Sequence, residues 1–169
     1  PTPKYRRSYS QATSKDRLTS QVPIEIYKWD ETQPGALAID LVEHNGGSSQ
    51  GQYAYTLTVV DIVSGYSRRK AVLGKGQIVV HGALKEILNE LPFEAWGVHV
   101  DNGSEFLNGH VVRLCKEKKL ELTRSRPYRK NDNAHAEQKN RQYVREVVGY
   151  QRHDTPEEVE WLNEIYSWL

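Results

Sequence analysis

The sequence predicts an α/β domain built on a mixed β-sheet. Three consecutive strand patterns separated by turn signals lie between residues 36 and 73, and they predict an antiparallel meander. Two shorter strand patterns then alternate with helical patterns, which is typical of strands joined by crossover helices. The chain has 169 residues, of which 37% are hydrophobic and 27% charged, so it is long enough for one soluble domain with a core.

Composition excludes several classes of protein. No apolar run approaches the ~18 residues that a membrane span needs, and no signal peptide is visible. The single cysteine, Cys115, excludes an internal disulfide and a cysteine zinc cluster, and it suits a reducing compartment such as the cytoplasm. Methionine is absent, so we expect this chain to be part of a longer protein.

Residues 1–34 are polar, carry several basic side chains and show little periodicity. We interpret them as an N-terminal arm or linker, with a short helix near Ile24 to Trp29, that precedes a domain at residues 35–169.

The first strand, Ala36 to Val42, is almost continuously apolar, which is typical of a central strand buried on both faces. Asp40 interrupts it, and an ionised carboxylate in a core strand is costly unless something compensates it. The alternative is an acid near the strand end that backbone amides satisfy. Tyr53 to Asp61 and Tyr66 to Leu73, separated by the turn Ser64-Gly65, predict the next two strands.

The second half begins with a helix predicted from Gln77 and ended by Pro92. A short apolar strand then ends at Asp101, where ligands bind in open α/β sheets. A helix follows from Asn108 to Lys118, and Leu120 to Thr123 predicts a fifth strand.

Two further helices are predicted at the C-terminal end. The first runs from Ala134 to Val148, and one stripe of it, predicted to face the sheet, contains Glu137, Asn140, Arg141, Val144 and Val148. The second starts at Asp154-Thr155-Pro156. Its predicted apolar face contains Trp161, Leu162, Ile165, Trp168 and Leu169. We expect the tryptophans of the chain to lie in the core rather than to stack on bases.

Three acids therefore lie at unusual places: Asp40 on a buried strand, Asp101 at a strand end, and Glu137 on the inward side of a helix. Hard divalent cations prefer carboxylate oxygens. Two such ions about 4 Å apart can activate an attacking oxygen and stabilise a leaving oxygen in phosphoryl transfer.

The text around these acids resembles a known family. It reads Ile39-Asp40-Leu41, then Val100-Asp101-Asn102-Gly103-Ser104-Glu105-Phe106, then Asn133-Ala134-His135-Ala136-Glu137-Gln138-Lys139-Asn140. Over about residues 35–150 the chain is similar to the catalytic core of the DDE transposase and retroviral integrase superfamily, and is closest to bacterial insertion-sequence transposases. The resemblance implies a ribonuclease-H-like fold, for which we predict a five-stranded mixed sheet of order 3-2-1-4-5 flanked by helices.

The resemblance also implies a function. Asp40, Asp101 and Glu137 would be the catalytic residues and the ligands of two Mg²⁺ or Mn²⁺ ions, and the reaction would be DNA 3′-end cleavage and strand transfer. The partners would be DNA, as element ends and target, and further copies of the chain in a cytoplasmic, nucleoid-associated complex without membrane. Candidate DNA contacts are Asn102, Arg124, Arg126, Arg129, Lys130, Asn140 and Arg141.

Other interpretations stay open at this point. A catalytically inactive, domesticated relative could use the same fold only to bind DNA or a partner. A ribonuclease of the same fold, a single structural metal or a buried network of acids could also account for the three carboxyl groups.

Overall fold

The fold was obtained as a computed structural model, which describes residues 20–24, 32–126 and 133–169. Its strands are β1 (Ala36–Glu43), β2 (Ala54–Asp61), β3 (Ser67–Leu73), β4 (Gly97–Val100) and β5 (Glu121–Arg124). Its helices are α1 (Gln77–Glu90), α2 (Gly109–Glu117), α3 (Ala134–Asn140), a π-helical turn (Arg141–Arg145), α4 (Glu146–Val148) and α5 (Pro156–Ser167).

The five strands form one sheet of order β3-β2-β1-β4-β5, which confirms the predicted order. β1 pairs antiparallel with β2, and β2 pairs antiparallel with β3, as expected of a meander. β4 lies parallel to β1, and β5 lies parallel to β4. The central strand β1 is therefore flanked on one side by the meander and on the other by the crossover strands.

Helices cover both faces of the sheet. One face packs against α1 and α2 through a core that includes Leu37, Ile39, Leu84 and Val111. On the other face Ala38, Val60 and Ala136 form a small cluster between β1, β2 and α3. Because side chains alternate along a strand, Asp40 shares the face of Ala38, which is the face covered by α3.

Asn108 shows how a local signal sets an element boundary. Its side chain accepts hydrogen bonds from the backbone N–H groups of His110 and Val111 and so caps α2. Its amide nitrogen donates to the carbonyl oxygens of Ser104 and Glu105, which holds the turn that follows Asp101. The predicted helix start is confirmed, with Asn108 as the N-cap.

The prediction of one long helix from Ala134 to Val148 is wrong in one respect, because a π-helical turn interrupts that helix. The buried positions Ala136, Asn140 and Val144 recur every four residues. In a regular α-helix a four-residue repeat drifts by about 40° per step, because 3.6 residues complete a turn. The wider π turn absorbs this drift and keeps the stripe against the sheet.

The prediction that the tryptophans of α5 lie in the core is also wrong. Trp161 is 63% exposed and Trp168 is 84% exposed, whereas Leu162 and Tyr166 are buried. The Tyr166 hydroxyl lies 2.9 Å from Thr56 Oγ1, so the polar atom of this buried side chain has a hydrogen-bond partner on β2. This hydrogen bond, together with the packing of Leu162, selects the helix face that turns inward.

Part of the predicted N-terminal arm contacts the sheet. Ile24 forms a parallel β-bridge with Arg124, and Val22 is buried in the main core. The helix predicted near Ile24 to Trp29 lies mostly in residues 25–31, outside the described residues.

Candidate active site

Asp40 lies on β1, and Asp101 directly follows the neighbouring parallel strand β4. The hydrogen-bonded register pairs Ala38 on β1 with His99 on β4. Continuing that register by two residues places Asp40 level with Asp101, which directly follows the last residue of β4. The backbone therefore brings both acids to the carboxyl edge of the parallel strands, as predicted from their positions in the sequence.

The third acid, Glu137, reaches the same region from α3. Small side chains at Ala38 and Ala136 allow the helix to approach the sheet closely. Glu137 itself is exposed, so the prediction that it points inward toward the sheet is wrong; Ala136 and Asn140 occupy the inward positions. Glu137 and Asp40 nevertheless line the same open cleft, which has a volume of about 490 Å³.

The electrostatics of the cleft centre on Asp40. Burial is the largest cause that raises the pKa of this carboxyl group from 3.8 to about 6, and the negative charges of Asp101 and Glu137 raise it further. Hydrogen bonds from the Leu41 backbone and the Asn140 side chain act in the opposite direction. Asp40 therefore interacts with both other acids, and burial is the main reason that its charged form is disfavoured.

Asn140 is buried and donates from Nδ2 to Asp40 Oδ2 over 2.7 Å. Its Oδ1 atom is also buried and has no hydrogen-bond partner among the described residues. Nearby, Asn133 donates from Nδ2 to the carbonyl oxygen of Ile39 over 3.0 Å and ties the start of α3 to β1. These two amides hold the helix that carries Glu137 against the strand that carries Asp40.

The donor set has the chemistry of a site for a hard divalent cation, because its oxygens come from three carboxylates that repel one another. Their arrangement in the structure is not that of an assembled metal site, however. Within residues 20–24, 32–126 and 133–169, no group of three or more His, Cys, Asp or Glu side chains is arranged to hold a metal ion. Asp101 Oδ1 instead accepts a hydrogen bond of 2.9 Å from the backbone N–H of Gly103.

The residues predicted to contact DNA differ in whether they bind other parts of the chain or lie exposed at the cleft. Arg124 donates from Nε to the carbonyl oxygen of Val22 and from Nη1 to Asn102 Oδ1, so it joins three segments of the chain. Arg141 is exposed, pairs with Glu146 over 3.5 Å and lines the cleft.

Asn102 also donates to the carbonyl oxygen of Ser125, which links the turn after β4 to the end of β5. Arg126 lies two residues after the end of β5. Arg129 and Lys130 lie in residues 127–132, outside the described residues.

Sequence reasoning missed several residues that line the cleft, among them Glu43, Arg145 and Tyr150. Arg145 follows Arg141 by four residues, a helical spacing that could have placed it on the same side. Tyr150 follows a helix-ending glycine and carries no sequence signal of this kind.

A larger cavity, of about 710 Å³, lies at the other end of the sheet. Its walls include Pro34, Trp96 and Lys119, which precede the parallel strands β1, β4 and β5. The cavity therefore lies at the amino ends of these strands, whereas the three acids lie at the carboxyl ends. The smaller cleft is the candidate site, since Asp40 and Glu137 line it, although Asp101 is not among its lining residues.

A solved structure has the same arrangement of elements. The crystal structure of the catalytic core domain of BIV integrase superposes with a TM-score of 0.56, with 16% sequence identity, over 78% of this chain and 80% of that one. The chain has the ribonuclease-H-like fold of an integrase core. This integrase-core fold confirms the fold class predicted from the sequence.

Comparison of sequences adds one relative. Uncharacterized protein y4rM of Sinorhizobium fredii (strain NBRC 101917 / NGR234) is 39% identical over 147 residues, which cover 86% of this chain and 42% of the relative. The chain thus spans less than half the length of the protein that it matches. No family model matches the chain. No helix among the described residues is long and apolar enough to cross a membrane.

Proposed function

We propose that the chain is the catalytic core of a metal-dependent polynucleotidyl transferase that cleaves DNA 3′ ends and transfers strands, as in the bacterial insertion-sequence transposases that its motifs resemble. One observation carries this proposal. A desolvated aspartate lies at the carboxyl edge of the parallel strands, within the electrostatic reach of two other acids, in a cleft of an integrase-core fold.

Asp40, Asp101 and Glu137 are the residues that would hold two Mg²⁺ or Mn²⁺ ions. When bound, such ions supply activation of the attacking oxygen and stabilisation of the leaving oxygen at the phosphorus. Asn140 keeps the Asp40 carboxylate oriented through its 2.7 Å hydrogen bond and favours the ionised form that a cation requires. Arg141, exposed at the cleft, would contact DNA phosphates without reading sequence.

The wider setting belongs to the same proposal. Recognition of element ends would depend on parts of the protein outside this chain, which spans 42% of its relative. The active complex would contain several copies of the protein on element ends and target DNA, in the cytoplasm and at the nucleoid.

A second function, DNA binding without catalysis, is favoured by one observation. No group of three or more acids among the described residues is arranged to hold a metal ion. An inactive core of this fold would keep Arg141 and Arg145 at the cleft for phosphate contacts and lose the reaction.

Cleavage of end-labelled duplex DNA in Mn²⁺ tests the proposal, with the full-length protein that contains this chain. We expect Asp40→Asn, Asp101→Asn and Glu137→Gln each to abolish cleavage. Glu43→Gln is the matched control, because Glu43 lines the same cleft but is not one of the three acids. Cleavage that survives all three substitutions would contradict the proposal, and binding without any cleavage by the wild type would favour the inactive core.

A further inference from the structure

The cleft that holds Asp40 and Glu137 also contains an exposed aromatic ring. Tyr150 lines this cleft and is 73% exposed. The Arg145 guanidinium lies over the ring, with Cζ 4.7 Å from the ring centroid. One face of Tyr150 is therefore covered by a cation, and most of the remaining ring surface is open to solvent.

The stacked pair is held in place by the backbone around it. Arg145 donates from Nη2 to the carbonyl oxygen of Glu43 over 2.9 Å, at the end of β1. It also donates from Nη1 to the carbonyl oxygen of Gly149 over 3.4 Å. Because both terminal nitrogens of this guanidinium are hydrogen-bonded, it gives the tyrosine a fixed support. Little side-chain entropy would therefore be lost when a ligand stacks on the ring.

Gly149 determines where the ring points. Its φ of +84° belongs to the region that L-residues rarely adopt, and it ends α4. The chain turns sharply there, and Tyr150 follows directly at the cleft instead of continuing along the helix.

The ligand that suits such a ring is flat and aromatic. Bases of single-stranded nucleic acid stack on exposed aromatic side chains, whereas paired bases inside a duplex have no free face. Carboxylates for cations and an arginine for phosphate lie in the same cleft. We infer that Tyr150, supported by Arg145, is a stacking site for an unpaired base that adjoins the reacting phosphate; this inference rests on the proposed function.

Two exposed aromatics elsewhere provide a matched comparison. Trp161 on α5 and Trp168 directly after it are also exposed, but they do not line the cleft of Asp40 and Glu137. If aromatic exposure alone explained binding of bases, Trp168 would serve as well as Tyr150.

The test measures binding of a short oligothymidylate that contains one 2-aminopurine, without divalent metal, by the change in 2-aminopurine emission. A duplex with the same base in its interior is the second probe. Stacking on an aromatic ring contributes about 1–3 kcal/mol per base, so Tyr150→Ala should weaken binding of the single strand roughly 5- to 150-fold. Tyr150→Trp should preserve binding, and Trp168→Ala should leave it unchanged.

The inference would be overturned if wild type and Tyr150→Ala bound the single strand with equal affinity. It would also be overturned if Tyr150→Ala weakened binding of the duplex probe as much as binding of the single strand. Neither result affects the proposed function, which the acid substitutions test by cleavage. Conversely, Tyr150-dependent stacking in a protein that never cleaves DNA would establish the stacking site but reject the catalytic proposal, and with it the place of the base beside a reacting phosphate. Melting temperatures of the variants show that they fold, since Tyr150 is exposed.

Discussion

At the scale of the residue, Asp40 is the acid whose ionised form the folded protein disfavours. It lies on a strand whose neighbours Ala38 and Ile39 are fully buried, and it shares its surroundings with two other acids. Folding therefore favours its protonated form, whereas a role as cation ligand requires the ionised form. An acid with a purely structural role would be more stable protonated. An acid that binds a cation must be ionised, and the bound cation then offsets the cost of burying its charge.

The first prediction concerns Asp40→Asn in the absence of metal. The pKa of Asp40 is about 6 in the folded state and near 3.8 in the unfolded chain. Between these values the folded state binds more protons, so the free energy of unfolding of the wild type falls as pH rises and levels off above about 6. The variant lacks this loss, and it should become more stable than wild type by up to about 3 kcal/mol above that pH.

Denaturant titrations of both proteins from pH 4 to 8 measure this difference. The comparison is needed because His44, whose pKa burial lowers to about 4, acts in the opposite sense. Its stability contribution is present above the unfolded value of 6.5 and is lost as pH falls toward 4. Glu160→Gln, at an exposed acid of α5, is the control and should show no such difference. A difference that stays constant over this range would refute the assignment.

At the scale of the element, the approach of α3 to the sheet decides the geometry of the site. Ala136 is fully buried between Ala38 and Val60, and the residue after it is Glu137. The π turn that follows keeps Asn140 and Val144 on the inward stripe. A change in the distance between this helix and β1 therefore moves the third acid and the amide that binds Asp40.

The second prediction is that Ala136→Val destabilises the protein by about 1–3 kcal/mol, because added methyl groups in a packed core cause overpacking. It should also reduce cleavage, since Glu137 and Asn140 move with the helix. Ala134→Val is the control at an exposed position in the same turn of α3. Chemical denaturation and cleavage assays of both variants check this prediction; equal effects of the two would show that packing at Ala136 is unimportant.

At the scale of the whole molecule, the two faces of the sheet have different surroundings. α1 and α2 cover one face, whereas α3, which carries Glu137, covers the other. The net charge is only +1, so the proposed attraction to DNA would depend on where basic residues lie and not on their number.

The third prediction is that Mn²⁺ or Mg²⁺ raises the melting temperature. Ions that bind only the folded arrangement of the acids stabilise it by mass action, by about 2.7 kcal/mol at one hundred times Kd. Asp101→Asn should reduce this shift, whereas Glu43→Gln should preserve it. Thermal unfolding with increasing metal concentration measures both, and a shift unaffected by Asp101→Asn would place the ion elsewhere.

The fourth prediction concerns the salt dependence of DNA binding. Arg141→Ala should lower the slope of log K against log salt by roughly one, because one phosphate contact is lost. Arg113→Ala, at an exposed arginine of α2 against the opposite face, should leave the slope unchanged. Fluorescence anisotropy of a labelled duplex at several salt concentrations distinguishes these results; a lower slope for Arg113→Ala alone would move the DNA to the other face.

Local sequence patterns predicted the antiparallel meander, the helix start at Asn108 and the positions of Asp40 and Asp101, since propensity and capping depend on neighbouring residues. The order of all five strands was predicted from the resemblance in motifs, because the pairing of β1 with β4 joins residues that are distant in the chain. Tertiary packing decided the rest. The π turn keeps the inward stripe that begins on α3 against the sheet. Tyr166, whose hydroxyl lies within hydrogen-bond distance of Thr56, is buried, whereas Trp168 is exposed. Arg124 donates to the Val22 backbone and to the Asn102 side chain. Arg145 and Tyr150 joined the cleft for the same reason: contacts between residues distant in the chain depend on how whole elements pack, which periodicity does not encode.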